Sequence, residues 1–460
     1  MKKYVDEEKA PRDYIIAEKF IEVCGNNKIF SLLEHNNLKK LLIYDGQSGC
    51  FNSYGLDNFA IALSKKFQNT PLEKYLSLSI SKGAFFRILT NADLQIDLKQ
   101  FDNQDCYLNV LNGVVDLRTM DLLDHDAKYK FTSVIDCKYK KSYAKSEKYP
   151  VKFKLMLERH FPRKEDRDLF LETFAYLLSW KYGLKIAPFW IGAPHTGKST
   201  FEFLLNSYLR QSVTHHSLSQ IASKHGPADL EGVRVNICAE IEKTTIKNMD
   251  NFKAIIGNDQ ISIEPKFCQL HSMQGRCKIL LVGNGFMSLA KGVAEPALFD
   301  RILPIKFQNP YNGEEKIPLY GKKLLKLEKM KIFAVIVRTL CKLHNNNYRF
   351  THSELSDNEK RRFIRQNSPS DSVEYFIADV CEFVPDYFTP SASIYADYEK
   401  YCNVNGFDVE RKNAFFVKFA SQCDIKSSRT RDNFTHKQRR GYKGIKIRRE
   451  DIYPGTPSRL

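Results

Sequence analysis

Hydrophobic and polar positions change their spacing several times along the 460-residue chain. In residues 1–142, helical and strand spacings are mixed. There the run 30–42 predicts an amphipathic helix that leads into a strand ending near Tyr44. The stretch 108–117 carries apolar runs on both sides of an Asn-Gly pair, which predicts a β-hairpin. The N-terminal region is therefore expected to be a mixed α/β domain.

Helical spacing dominates the next region, because apolar residues recur three and four positions apart from 151 to 180. Strand and helix patterns then alternate between about 186 and 344, which favours an α/β layer with a parallel sheet. The polar stretch 345–371 predicts a linker with room for a charged helix at 354–365. A last unit of helices and strands runs from 372 to 460.

A complete phosphate-binding loop follows the apolar run 187–191. Its glycines let backbone N–H groups turn toward phosphate oxygens. Lys198 brings a positive charge to the β- and γ-phosphates, and Ser199 offers its hydroxyl to Mg²⁺. The sequence therefore predicts that ATP and Mg²⁺ bind here. The residues expected to contact the nucleotide are Gly192, Ala193, Pro194, His195, Thr196, Gly197, Lys198, Ser199 and Thr200.

Three further segments supply the other groups that ATP hydrolysis needs. A β-rich run ends in acids, of which Glu240 is the first choice and Glu242 the second for holding Mg²⁺ and orienting the attacking water. An apolar strand ends in Asn284, which suits a polar sensor of the γ-phosphate. Arg301 precedes another apolar strand and suits a finger delivered to a neighbouring subunit's phosphate. With Lys198, these residues are the predicted catalytic set.

The segment 252–271 lies between the acidic run and the strand of Asn284, and it predicts a second β-hairpin. Lys266 and Phe267 are expected at or near its tip. A cation beside an aromatic ring can hold single-stranded nucleic acid through phosphate contact and base stacking. The hairpin is therefore predicted to bind single-stranded DNA.

The C-terminal unit has helical patterns at 371–383, 391–404 and 412–422, followed by a basic segment that predicts a β-wing. Three helices with a basic wing are typical of a helix-turn-helix variant whose third helix enters a major groove. The basic residues expected to bind DNA are Arg429, Arg431, Lys437, Arg439, Arg440, Lys443 and Lys446.

Composition indicates the kind of partner and the cellular compartment of the protein. The net charge of +17 indicates an anionic polymer or surface as partner. Eleven cysteines without a C-x-x-C pair predict reduced thiols in a cytoplasmic protein. No apolar run approaches the ~18 residues of a membrane span, and the N-terminus lacks the pattern of a signal peptide. A cytoplasmic location without a membrane partner is expected.

The order of these motifs resembles that of the superfamily 3 helicases, and within them the poxvirus-type primase-helicases of phages and plasmids. The phosphate loop, the acidic run, the segment 253–259, the asparagine strand and Arg301 follow the family's order. Residues 107–139 look like the domain that precedes the helicase in the phage and plasmid branch, and 372–449 is similar to that branch's tail. The whole resembles the replication initiator (Rep) helicases of Gram-positive, staphylococcal-type pathogenicity islands.

The resemblance implies an α/β fold with an AAA+ P-loop ATPase core, a mixed α/β N-terminal domain, a helical collar and a C-terminal winged helix. The implied boundaries are 1–142 for the N-terminal domain, 143–185 for the collar, 186–344 for the superfamily 3 ATPase, 345–371 for a linker and 372–460 for the winged helix.

The resemblance further implies a hexameric ring of identical subunits with ATP at each junction. Lys198, Ser199, Glu240 and Asn284 would lie on one subunit, and Arg301 would come from the next. The hairpins would line a central channel and move one DNA strand, with 3′ to 5′ direction. The expected function is an ATP-dependent replicative DNA helicase that also binds the replication origin of a mobile genetic element.

Two points stay open at this stage. Ile241 separates Glu240 from Glu242 where the family often has adjacent acids, so both stay candidates for activating water. The sequence presents no convincing carboxylate pair or zinc cluster for a primase, which predicts that any primase is a separate chain. The alternative functions are an AAA+ ATPase switch without helicase activity and an origin-binding initiator whose ATP site only drives assembly.

Overall fold

The structure is a computed structural model. The residues it describes are 10–25, 27–33, 39–241, 245–264, 271–290, 293, 296–313, 317, 319–367, 372–405, 407–423, 425, 427–431 and 438–449. The chain divides into two compact units. The larger unit comprises Met1–Met287 and Asp300–Ser356, and the smaller unit comprises Ser288–Phe299 and Asp357–Leu460.

The larger unit begins with three helices and a three-stranded antiparallel sheet. The helices are Arg12–Cys24, Leu56–Phe67 and Leu78–Leu89, and the strands, in sheet order, are Ile29–Leu33, Lys39–Asp45 and Cys50–Tyr54. The helix predicted at 30–42 is wrong, because the described parts of this run are two paired strands. Leu41 packs into one hydrophobic core and Leu42 into another. A sheet covered on both faces loses the polar alternation that identifies a strand.

The predicted hairpin at 108–117 is confirmed. Tyr107–Val110 pairs antiparallel with Gly113–Asp116, and Asp121–Leu123 adds a third strand. Gly113 has φ +145°, and a Cβ there would lie 2.3 Å from the carbonyl oxygen of Leu123, so the turn requires glycine. The predicted helical region follows as Lys141–Lys145, Val151–His160 and Lys164–Leu178.

Five parallel strands form the central sheet of the larger unit. Their order across the sheet is Ile302–Lys306, Ala187–Ile191, Lys278–Gly283, Val235–Cys238 and Val213–Thr214. This parallel sheet with its helices confirms the predicted α/β class. Because all strands run the same way, the segments that follow them meet at one carboxyl edge of the sheet.

Aromatic packing fixes the strand and helix on either side of the phosphate loop. The ring centroid of Phe170 lies 5.6 Å from Trp190 in the central strand and 4.6 Å from Phe201 in the next helix. The ring centroid of Phe307 lies 5.8 Å from that of Trp190 and 5.8 Å from that of Phe201. Such rings bury large apolar areas, and their close packing limits relative motion of the strand and the helix.

The larger unit contains further helices and strands around the central sheet and its hairpins. Its remaining helices are Lys198–Leu209, Leu218–Ile221, Asp250–Gly257 and Tyr320–Asn345, and its remaining strands are Thr245–Ile246, Gln260–Ile263 and His271–Gln274. Short 3-10 helices lie at Glu73–Tyr75, Ala92–Leu94, Leu98–Gln100, Ala127–Tyr129, Arg210–Ser212 and Gly226–Leu230. The charged helix predicted at 354–365 is present as Glu354–Asn367.

The smaller unit contains a three-stranded antiparallel sheet with helices packed on it. The strands, in sheet order, are Cys381–Pro390, Gln438–Ile447 and Ser427–Arg431, with Ser288–Leu289 outside this sheet. Its helices, besides the Glu354–Asn367 helix that enters it, are Pro296–Phe299, Ser372–Val380, Ser391–Asn405 and Lys412–Gln422. Stacked rings of Tyr398 and Phe415, 4.2 Å apart, lie in its core.

The helix predicted to reach residue 383 ends earlier, at Val380, and a strand begins at Cys381. The register of this strand shifts between Phe383 and Phe388, and Asp386 has φ +65°. The irregularity breaks the two-residue alternation by which a strand is found in sequence.

Two simple properties accompany this fold. Ten cysteines lie among the described residues, and all ten thiols are free. In the same part of the chain, none of the helices combines the length and the apolar character that crossing a bilayer demands.

Candidate functional site

The phosphate loop lies at the carboxyl edge of the central sheet, between the strand Ala187–Ile191 and the helix Lys198–Leu209. Its first and last glycines are sterically required. A Cβ at Gly192 would lie 2.5 Å from the carbonyl oxygen of Phe307, and one at Gly197 would lie 2.7 Å from Nε2 of His160. Gly197 also has φ +80°, which favours glycine. The motif therefore forms the tight turn that phosphate binding needs.

Lys198 is 8% exposed and points back across the loop. Its ammonium donates hydrogen bonds to the carbonyl oxygens of Gly192 at 2.6 Å and Ala193 at 2.9 Å. Thr196 donates to the carbonyl of Ala193 at 2.8 Å and closes the turn. The positive charge thus lies inside the loop, and a phosphate oxygen would be a stronger acceptor for it than a carbonyl oxygen.

A cavity of about 540 Å³ opens over the loop. Pockets for small ligands commonly have volumes of this order. The cavity brings together most of the residues that sequence reasoning chose for the nucleotide. Those lining it are Pro194, His195, Thr196, Gly197, Lys198, Ser199, Thr200 and the sensor candidate Asn284.

The remaining wall of the cavity was not identified from sequence. It is formed by Met156, Tyr311, Ile317 and Tyr320. These side chains come from separate elements, and each is an ordinary core or surface apolar residue in its local pattern. Only folding brings them together, so no short sequence motif could have identified them. Their apolar and aromatic character suits a flat, stacking ligand group beside the phosphate site.

Tyr311 connects this wall to the phosphate loop. Its backbone N–H donates to the carbonyl of His195 at 2.9 Å. The guanidinium of Arg159 lies 4.2 Å from the Tyr311 ring centroid and donates to the Asn309 and Pro310 carbonyls. Residues 309–311, which follow the strand Ile302–Lys306, therefore connect the helix Val151–His160 to the phosphate loop.

His160 is a second residue that sequence reasoning missed. The side chain is fully buried, and its Nδ1–H donates to the carbonyl of Gln308 at 2.9 Å. Burial lowers the pKa of His160, and the charges of Arg159 and Lys198 lower it further. The ring is thus neutral, and its Nε2 lies against Gly197. It supports the turn of the loop from behind.

Glu240 follows a strand of the central sheet at the same carboxyl edge as the loop. The strand Val235–Cys238 pairs with the strand Lys278–Gly283, and Cys238 lies opposite Leu281. Glu240 follows two residues later, is exposed and has φ +53°. This left-handed conformation costs a non-glycine residue about 1 kcal/mol or more and often occurs at functional sites. Glu240 does not line the cavity, and Glu242 lies outside the described residues.

Asn284 is placed directly beside the loop by strand pairing. Gly283, the residue before it, lies opposite Ile191, the residue before the loop. The exposed Asn284 therefore lies within the same cavity as Lys198 and Ser199. Of the members of the predicted catalytic set that the structure describes, Lys198 and Asn284 line one cavity.

Arg301 lies at the other edge of the central sheet. The strand it precedes pairs with the loop strand, with Ile302 opposite Ala187 and Lys306 opposite Ile191. The loop follows Ile191, so Arg301 and the loop are separated by the length of a strand, about 13 Å from Ile302 to Lys306. The structure does not bring Arg301 to the cavity of its own chain.

The oxygen donors near the loop are suited to Mg²⁺ rather than to a soft metal. Ser199 is exposed at the cavity, and Glu240 is an exposed acid that follows the strand Val235–Cys238. Within the described ranges, no cluster of three or more His, Cys, Asp or Glu side chains could hold a metal by itself. Mg²⁺ typically takes one or two protein ligands and completes its shell with phosphates and water.

The predicted single-strand-binding hairpin has its two strands in place. Gln260–Ile263 pairs antiparallel with His271–Gln274, and Ile263 lies opposite His271. Lys266 and Phe267, expected at its tip, lie outside the described residues.

The basic cluster of the smaller unit separates into two groups. Lys443 forms an ion pair with Asp386 at 2.6 Å, and Lys446 lies 3.8 Å from Glu382. Arg429 and Arg440 lie directly opposite each other in the paired strands, are exposed, and make no ion pair with a described residue. The remaining members are Arg431 at the end of its strand, Arg439 exposed in the facing strand, and Lys437 outside the described residues.

Comparison with protein families gives two partial matches. Residues 26–162 match a family model described as "D5 N terminal like", and residues 190–295 match a family of unknown function, DUF5906. The first match supports a relation to phage-type primase-helicases. The narrower likeness to superfamily 3 and to staphylococcal-type Rep helicases stays a prediction. A comparison with curated proteins finds no match.

Comparison with solved structures concerns the fold. A structure described as the A form apo structure of the NrS-1 C terminal region matches with a TM-score of 0.50 and 10% identity, covering 95% of this chain and 100% of that one. A second apo structure of the same region gives a TM-score of 0.49 and 11% identity, covering 95% and 100%. The first likeness supports a shared overall α/β fold and, at this identity, nothing about activity.

Proposed function

We propose that the chain is an ATP-dependent replicative DNA helicase that works as a ring and also binds the replication origin of a mobile genetic element. The observation that carries the proposal is the position of Arg301. It lies at one edge of the central sheet, and the phosphate-loop cavity lies at the opposite edge. One chain supplies the nucleotide cavity but not the arginine, so a complete site needs two copies.

The strand order of the central sheet supports an AAA+ core. Numbered along the chain, the five parallel strands lie in the order 5-1-4-3-2. The phosphate-loop strand is therefore next to both the asparagine strand and the strand that Arg301 precedes. This is the arrangement the proposal needs, with the loop, Glu240 and Asn284 at one edge and the finger at the other.

Each residue has a defined role in the proposed hydrolysis. Lys198 would exchange its loop carbonyls for the β- and γ-phosphate oxygens. Ser199 and Glu240 would hold Mg²⁺, which supplies charge neutralisation at the phosphates when it is bound. Asn284 would contact the γ-phosphate, and Arg301 of the neighbouring copy would stabilise the charge that develops during transfer.

The adenine would lie against the apolar wall. Tyr311 and Tyr320 offer ring faces, and Met156 and Ile317 offer aliphatic contact. Because Tyr311 bonds to His195 of the loop, base stacking and phosphate binding would be mechanically linked.

The DNA-binding parts complete the proposal. The hairpin Gln260–Ile263/His271–Gln274 would carry Lys266 and Phe267 to a single strand in the ring's channel. In the ATP site, Glu242 is the second candidate, after Glu240, for activating water. The smaller unit would be a winged helix that binds origin duplex through its basic strands. A primase, where the element uses one, would be a separate chain.

Strand displacement with tailed duplexes tests this function. We expect ATP and Mg²⁺ to drive release of an annealed oligonucleotide from a duplex with a 3′ single-stranded tail, and not from a matched duplex with a 5′ tail. A non-hydrolysable ATP analogue should give no release. ATP turnover stimulated by DNA without release from either substrate would favour an ATPase switch and contradict the helicase.

A further inference from the structure

The helix Lys412–Gln422 has a stripe of exposed residues that do not pack into the hydrophobic core of the smaller unit. Phe415 and Phe419 are buried, and the positions opposite them on the helix are Asn413, Val417 and Ser421. All three are exposed, and Val417 is 72% exposed. An amide, an isopropyl group and a hydroxyl therefore form a row, at i, i+4 and i+8, on one outward face.

Two arginines flank this helix on the neighbouring strands. Tyr442 packs against the helix, with its ring 5.8 Å from Phe416 and 5.4 Å from Phe419. Arg440 lies two residues before Tyr442 in the same strand, and side chains two apart share a face. Arg429, opposite Arg440, shares that face too. Both guanidinium groups thus lie on the side of the sheet where the helix packs.

The charge pattern selects a polyanion as the partner of this surface. Like charges directly opposite on paired strands destabilise each other unless an anion lies between them. The helix itself contains no Asp or Glu, and Arg411 and Lys412 are exposed at its beginning. In contrast, Lys443 and Lys446 on the same sheet are already paired with carboxylates.

We infer that the stripe Asn413–Val417–Ser421 reads base edges in the major groove of duplex DNA, while Arg429 and Arg440 hold the adjacent phosphates. Asn413 takes adenine through its N6 and N7 atoms, and Val417 contacts a thymine methyl group. The inference rests on the proposed origin binding and adds the base preference, which is an A·T-containing half-site.

Selection from a randomised duplex library tests the base preference. With the full chain and no ATP, the wild type should enrich a motif that contains adenine and thymine at neighbouring positions. Asn413→Ala should lower discrimination for that adenine about tenfold. Replacing the thymine by deoxyuridine, which removes only the methyl group, should weaken wild-type binding about fourfold and leave Val417→Ser unaffected.

Two control variants distinguish base recognition by the stripe from phosphate binding by the two arginines. Val404→Ser removes another exposed valine, 48% exposed on the preceding helix, and should keep the wild-type motif and its sensitivity to deoxyuridine. Arg429→Gln with Arg440→Gln should weaken binding to all sequences and lower the salt slope by about two.

The inference and the proposed function fail in different ways. A motif without A·T pairs, or one that Asn413→Ala and Val417→Ser leave unchanged, overturns the inference while strand displacement can remain intact. Loss of strand displacement in the wild type would contradict the proposed helicase, whatever motif is selected. The control Val404→Ser should unwind a tailed duplex at the wild-type rate, because it alters an exposed position outside the ATP cavity and outside the stripe.

Discussion

Replacing Lys198 by alanine is expected to lower ATP hydrolysis by at least about a hundredfold and to abolish strand displacement. The ammonium is the charge that would meet the β- and γ-phosphates, and no neighbouring cation lines the cavity among the described residues. Steady-state ATP turnover and release of a labelled oligonucleotide measure the two losses.

The same substitution has a structural cost that must be measured separately. Lys198 donates to the carbonyl of Gly192, and leaving that buried carbonyl without a donor costs about 1–3 kcal/mol, whereas the carbonyl of Ala193 keeps its hydrogen bond from Thr196. We therefore expect a modest drop in melting temperature without loss of folding. Lys164→Ala is a matched control, because that lysine is exposed and forms only a surface ion pair with Asp168. If the folded Lys198→Ala variant hydrolysed ATP at the wild-type rate, Lys198 would not belong to the ATP site.

Replacing Arg301 by alanine is expected to lower hydrolysis by about a thousandfold while ATP binding stays nearly unchanged. The reason is geometric, since Arg301 lies a strand's length from the loop of its own chain. In the proposed ring, it would act on transition-state charge at a neighbour's site. Binding of a fluorescent nucleotide and ATP turnover measure the two properties, with the exposed Arg349→Ala as control.

Mixing the two inactive variants tests whether the arginine acts between copies. In a random mixture of Lys198→Ala and Arg301→Ala chains, about a quarter of junctions in a closed ring combine an intact lysine with an intact arginine. Turnover should therefore recover to a measurable fraction of wild type. A mixture as inactive as its components, despite shared particles, would show that Arg301 is not a finger in trans.

Sequence patterns identified the site's local parts and missed those that depend on tertiary contact. The spacing of Gly192, Gly197 and Lys198 encodes a turn within one short segment, so the loop was predictable. Asn284 was found because it ends a strand. His160 and Tyr311 meet the loop only after folding, and neither has a local pattern that distinguishes it from a packing residue.

The same distinction explains the fold predictions. The hairpin around Gly113 has its determinant in two adjacent residues, and it was predicted correctly. The run 30–42 was assigned to a helix because Leu41 and Leu42 are buried on opposite faces of a sheet. The strand Cys381–Pro390 was missed because its bulge disrupts alternation. In the first failure the missing information is which surfaces cover the strand, and in the second it is the position of the bulge.

The sorting of the basic cluster also required the structure. In sequence, Lys443 and Lys446 look equivalent to Arg429 and Arg440. The fold pairs the lysines with Asp386 and Glu382 and places the arginines side by side. Charge density alone could locate the basic segment but could not identify which of its cations form ion pairs with described carboxylates.

Electron-microscopic imaging of the purified chain with a non-hydrolysable ATP analogue and single-stranded DNA tests the central claim most directly. The account predicts closed hexameric rings, with nucleotide density between neighbouring subunits and Arg301 of one subunit facing the phosphate loop of the next. Particles that remain single copies under every nucleotide and DNA condition, with the loop cavity facing only solvent, would contradict it.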